Sequence, residues 1–84
     1  MFDVKLDKQP ERFLRHCEAV LFDRIVSKLE ILKTNPIPHD AKRVSGYERP
    51  TFRIRIGKYR ALYWINYEGK RIIIVKIDHR ESVY

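Results

Sequence analysis

A single cysteine, Cys17, stands in the 84 residues, so no internal disulfide framework holds this chain and a reducing, cytoplasmic setting suits it. The three glycines, Gly46, Gly57 and Gly69, are scattered, which leaves no phosphate-cradling loop, and neither a repeat nor a low-complexity segment is present. No apolar run approaches the ~18 residues of a membrane span, and no signal-peptide pattern opens the sequence, so a soluble protein without membrane contact is expected. The three histidines and one cysteine lie at unrelated spacings, so no metal constellation is visible. Ser27, Ser45 and Ser82 lack a triad-like setting. These absences weigh against a metal-dependent or nucleotide-hydrolysing enzyme, and neither metal nor cofactor is expected.

Acid is the other scarcity, and it is local. Residues 1–41 hold seven Lys/Arg and seven Asp/Glu, whereas residues 42–84 hold eleven and four, so the whole +7 charge sits in the second half. Such asymmetry creates a local positive potential that attracts nucleic acid or an acidic protein segment. One Gln and two Asn beside abundant Arg, Lys and Glu suit a heat-loving source. The length gives one domain, residues 1–84, with a thin core for which 44% hydrophobic residues and ten aromatics suffice.

Along the chain, Phe2, Val4 and Leu6 alternate with Asp3 and Lys5, predicting a half-buried strand over 2–6. Asp7 can cap a helix whose first turn holds Pro10 and Glu11. Phe13, Cys17 and Leu21, then Leu21, Ile25, Leu29 and Leu32, fall at helical spacing, predicting two helices or one bent helix over about 8–33. Asn35-Pro36-Ile37-Pro38 stops it, and residues 35–50 read as one long connection. Strands follow at 52–56 and 59–66 around Gly57-Lys58, and after the Glu68-Gly69 turn the run IIIVKI (72–77) reads as a central strand. The order β-α-α-β-β-β implies an α+β domain, with two helices packed on one face of a largely antiparallel sheet.

The stretch TFRIRIGKYRALYW (51–64) carries three arginines and a lysine and no acid. If Phe52, Ile54 and Ile56 face the helices, Arg53 and Arg55 project together from the opposite face, their Cα atoms roughly 6.5 Å apart. That interval is comparable to the spacing of phosphates along a nucleic-acid strand, and guanidinium groups grip phosphate oxygens bidentately. Arg60 can join from the neighbouring strand, while Tyr59, Tyr63, Trp64 and Tyr67 interleave. Tyr63 reads as core; Trp64 fits either core packing or base stacking. His79 and Arg80 follow the central strand, where a strand end beside Arg53 and Arg55 would bring them to the basic face, with His79 able to act as acid or base. The last residue is Tyr84.

These segments together resemble one family. KRVSG (42–46), FRIRIGKYRALY (52–63) and IDHRESVY (77–84) are similar to the RelE branch of the RelE/ParE toxin superfamily, archaeal RelE included, along essentially the whole chain. The resemblance implies a fold like that of small microbial ribonucleases. It also implies a type II toxin that enters the ribosomal A site and cuts mRNA without metal, inhibiting translation. In such a cut the RNA's own 2′-OH attacks the adjacent phosphate. By position, Arg53 and Arg55 match two basic family residues, Arg60 and Arg80 are phosphate and transition-state clamps, and Tyr84 stacks on or orients the nucleotide. Lys42, Arg43 and Lys58 extend the basic surface as RNA contacts. The expected partners are a cognate antitoxin, acidic at least locally, and the ribosome with its mRNA; operator DNA is bound only through the toxin–antitoxin complex. The family's first two basic positions are often lysines, one a plausible proton acceptor. Arginine serves poorly there, since its pKa exceeds ~12, so either His79 or Glu48 acts as base, or general-base help is weak and the arginines supply mostly electrostatics. Two other classes stay open: a ParE-like gyrase poison and a non-catalytic basic nucleic-acid-binding module.

Overall fold

The computed structural model describes residues 1–79. The alternating N-terminal segment forms β1 (Asp3–Leu6), and two helices follow, α1 (Lys8–His16) and α2 (Ala19–Thr34). Asp7 stands at the N-cap of α1 without a side-chain cap bond, its carbonyl accepting from the Glu11 amide. The helices break at Cys17, whose backbone is extended, and α2 ends just before Asn35-Pro36. Three strands match the expected ones: β3 (Thr51–Ile56), β4 (Tyr59–Asn66) and β5 (Arg71–His79). Between α2 and β3 lies a strand that residue patterning did not predict, β2 (Lys42–Val44), so residues 35–50 are not wholly a connection. At three residues it is too short for alternation to register, and pairing with β3 is what defines it.

The sheet has five strands in the order β1-β5-β4-β3-β2. Pairing is antiparallel except that β1 runs parallel to β5, which the helical crossover makes possible. Gly57 has φ +61, the conformation that a two-residue hairpin with glycine in first place requires. On the helix-covered side, Leu14, Ile25, Leu29 and Leu32 pack on Ile54, Ile56, Ala61, Tyr63, Ile72, Ile74 and Ile77. The Tyr63 hydroxyl donates to the Pro36 carbonyl at 2.7 Å, tying the connection to the core. Burial pushes that phenol well above the ordinary tyrosine range.

The register of β5 shifts beside Leu62/Tyr63: Tyr63 lies opposite Ile74 and Leu62 opposite Lys76, so Val75 is an extra residue. The bulge rephases the strand. Before it, Ile72 and Ile74 face the core; after it, Ile77 does, three residues on. Beyond the end of β1, the Gln9 side chain takes over the edge of β5, donating to the Ile77 carbonyl at 2.6 Å and accepting from the Ile77 amide at 2.8 Å.

Candidate functional site

The sheet face away from the helices can be read row by row from the register. Across the first row lie Arg55, Arg60 and Asp78, on β3, β4 and β5. Across the second lie Lys42, Arg53, Leu62 and Lys76, on β2 to β5. The third holds Val44, Thr51, Trp64 and Ile73. Neighbouring strands are about 4.8 Å apart and successive rows roughly 6.5 Å apart, so five cations and one carboxylate share two adjacent rows. Arg55 and Lys42 are exposed, Arg53 and Lys76 half-buried, and Arg60 only 4% exposed. Leu62 is buried yet stands outside the core cluster, on this same face.

Four of the sequence-predicted residues therefore come together: Arg53, Arg55, Arg60 and Lys42. Others do not. Arg43 lies opposite Phe52 and shares the helix-side phase. Lys58 sits in the hairpin turn and lines a groove of about 700 Å³ with Arg12, Phe13, Arg24 and Tyr59 on the helix side. His79 was expected on the basic face, and the structure corrects this. It pairs with Tyr59, the two rings edge to face at 5.6 Å, and Tyr59 in turn meets Phe13 of α1. The cause is the Val75 bulge, which reverses the phase of β5 and presents Asp78 instead. Glu48 lies on the exposed segment 45–50. Arg80 and Tyr84 lie outside the described residues.

Sequence reasoning missed Lys76 and Asp78. The signal was present in IIIVKID: Lys76 sits where strict alternation from Ile72 and Ile74 demands an apolar residue, and a bulge resolves that conflict. The Asp78 carboxylate is half-buried and oriented by one of its oxygens, which accepts from the His79 amide at 2.7 Å. Trp64, which the sequence left open, belongs to the basic face, and the Arg49 guanidinium lies 4.1 Å from the centre of its ring. Chemically the two cation rows can bind successive phosphates and offset charge gathering on one of them. Asp78 can accept a proton beside them. No group of three or more His, Cys, Asp or Glu suited to holding a metal occurs among the described residues, and none of their helices is long and apolar enough to cross a membrane.

A family model described as the ParE toxin of the type II toxin–antitoxin system parDE matches residues 4–84. RelE1 of Methanocaldococcus jannaschii is 36% identical over 86 residues, spanning 99% of this chain and 94% of that one. Among solved structures, the archaeal RelE–RelB complex of Pyrococcus horikoshii superposes with a TM-score of 0.81 at 29% identity, covering 94% of each chain. The RelBE2 toxin–antitoxin complex of Mycobacterium tuberculosis gives 0.79 at 26% identity, covering 94% of this chain and 98% of that one.

Proposed function

The chain belongs to the ParE toxin family of type II toxin–antitoxin systems, within the RelE/ParE superfamily, and from that premise we propose that it is a metal-independent endoribonuclease that cuts mRNA in the ribosomal A site. The observation that carries this reading is the pair of cation rows on the sheet face away from the helices, with one carboxylate among their described residues.

The 2′-oxygen attacks the adjacent phosphorus and its proton passes to the Asp78 carboxylate. Negative charge gathers on the non-bridging oxygens, where the guanidinium groups of Arg53, Arg55 and Arg60 offset it. The bond from phosphorus to the 5′-oxygen breaks, and that oxygen takes a proton from the Lys76 ammonium, a donor-only group. The products are a 2′,3′-cyclic phosphate and a 5′-hydroxyl. Asp78 fills the proton-accepting role that arginine at the first basic positions leaves open, in place of His79 on the far side. Arg80 and Tyr84 keep the clamp and stacking roles that the family resemblance implies. Because the matched relatives of Pyrococcus horikoshii and Mycobacterium tuberculosis are complexes with RelB-type antitoxins, a cognate antitoxin is the partner that holds this toxin inactive.

Purified protein mixed with translating ribosomes, followed by mapping of mRNA 3′ ends, tests the reading. Breaks at A-site codons are expected with wild type and should fall about 100-fold with Arg55→Ala, an exposed position whose truncation leaves the core intact. Inhibition of gyrase supercoiling without RNA breaks would select instead the ParE-like gyrase poison that the sequence left open. Salt-sensitive RNA binding alone would select a non-catalytic module.

A further inference from the structure

The third row of the sheet face away from the helices has no part in the cutting chemistry, yet it holds the chain's one tryptophan. Trp64 lies opposite Thr51 on β3 and Ile73 on β5, and it precedes no further cation on β4. Its row is the immediate neighbour of the Lys42–Arg53–Leu62–Lys76 row, roughly 6.5 Å away. That offset is what a nucleotide needs when its phosphate rests on the cations and its base swings to one side. The indole is half-buried, and the Arg49 guanidinium covers it at 4.1 Å. A guanidinium plane and a nucleobase make the same kind of contact with an aromatic face, a flat, polarisable group laid on a π-system. Arg49 belongs to residues 45–50, all of them exposed, so lifting its side chain from the ring uncovers no core residue.

We propose that Trp64 is a nucleobase-stacking subsite for single-stranded RNA, in which the base takes the place of the Arg49 guanidinium and Arg49 turns to a phosphate. Resting on the RNA-cutting reading, the proposal adds to it a position for one base beside the phosphate rows. The indole contacts a π-face that every base has, so the subsite supplies affinity and places the strand without choosing sequence.

The single tryptophan makes its own reporter. A short 2′-O-methylated oligoribonucleotide, which the proposed chemistry cannot cut, is titrated against the wild-type protein while Trp64 fluorescence is followed. Saturable quenching is expected. An abasic oligonucleotide of the same length, carrying the phosphates alone, should bind more weakly and leave the fluorescence nearly unchanged. With affinity read from the fluorescence anisotropy of an end-labelled strand, Trp64→Ala should weaken binding of the base-bearing oligonucleotide by about tenfold or more, with Trp64→Phe falling between, each variant first checked for native far-UV circular dichroism. Equal affinity in wild type and Trp64→Ala together with equal quenching by the abasic strand would overturn the stacking subsite. If ribosomal cleavage persists in that case, the cutting reading survives alone. Absence of any oligonucleotide binding would overturn both the subsite and the assignment of this face to RNA.

Discussion

Arg60 and Asp78 are directly opposed across β4 and β5, and the chemistry of the proposed cut rests on that pair. A carboxylate accepts protons, whereas guanidinium and ammonium groups only donate, so among the described residues of the two cation rows Asp78 alone can take the 2′ proton. Asp78→Asn keeps the oxygen that accepts from the His79 amide and removes the proton acceptor. Single-turnover cleavage on ribosomes should then fall about 100-fold or more while RNA affinity changes little, and Asp78→Glu should recover part of the rate. A purely structural carboxylate would behave otherwise: its loss would lower stability and binding together. A second carboxylate does have a structural role. Asp40 accepts from the Lys28 ammonium of α2, and this bond holds its carboxyl below the ordinary aspartate value of 3.8. A depressed folded pKa gives stability that is present above the unfolded value and lost as pH falls through the folded one. The stability gap between wild type and Asp40→Asn should therefore be small near neutrality, under ~1 kcal/mol for so exposed a pair, and should close below about pH 4. Urea unfolding across that range measures it.

Among the elements, β5 decides what the site contains, and two devices set its phase. Gln9 satisfies the amide and carbonyl of Ile77 where β1 has already ended, so α1 acts as a short extension of the sheet. Gln9→Ala should cost about 1–2 kcal/mol in unfolding free energy, because two part-buried backbone groups lose their partner. It should also slow cleavage, since Asp78 is the next residue; normal cutting in a destabilised variant would separate the strand edge from the site. The Val75 bulge is the second device, and it marks where the sequence stopped being legible. Helices over about 8–33, the hairpin at Gly57-Lys58 and the helix-facing phase of Phe52, Ile54 and Ile56 followed from periodicity and turn residues, because each is a local consequence of burial on one side or of local turn geometry. The cations Arg53 and Arg55 followed from the same alternation. A bulge is not local in that sense: it is fixed by which residue of β4 meets which residue of β5. Counting by twos from Ile74 reverses every residue after Val75, and this is why His79 belongs with Tyr59 and Phe13 while Asp78 reaches the cations. The strand β2 escaped notice for a related reason, since three residues carry no period and only the pairing of Lys42 with Arg53 identifies them.

For the molecule as a whole, folding converts a charge gradient along the sequence into one across the sheet. The neutral first half supplies the helices and β1, and the strands of the basic second half set Lys42, Arg53, Arg55, Arg60 and Lys76 on the face away from the helices. A polyanion approaching that face meets the cations together, which speeds encounter and makes affinity fall with salt. Arg60 is almost fully buried and is left out of the count, so about four cations remain to displace counterions from RNA. On a single strand each gives a slope of about −0.7 in log K against log salt, or roughly −3 for the four. Lys42→Ala and Arg55→Ala should each reduce the slope by about 0.7, and the double variant by about 1.4. Lys58, in the hairpin turn and lining the helix-side groove, supplies the control: by its placement Lys58→Ala should leave the slope unchanged. The total +7 charge predicts no such difference among the three single variants, since each removes one positive charge. Equal slopes for Lys58→Ala and Arg55→Ala would mean that net charge governs binding and that the face has no special part in it. A selective loss at Lys42 and Arg55 would locate the RNA on the two rows that the register brings together.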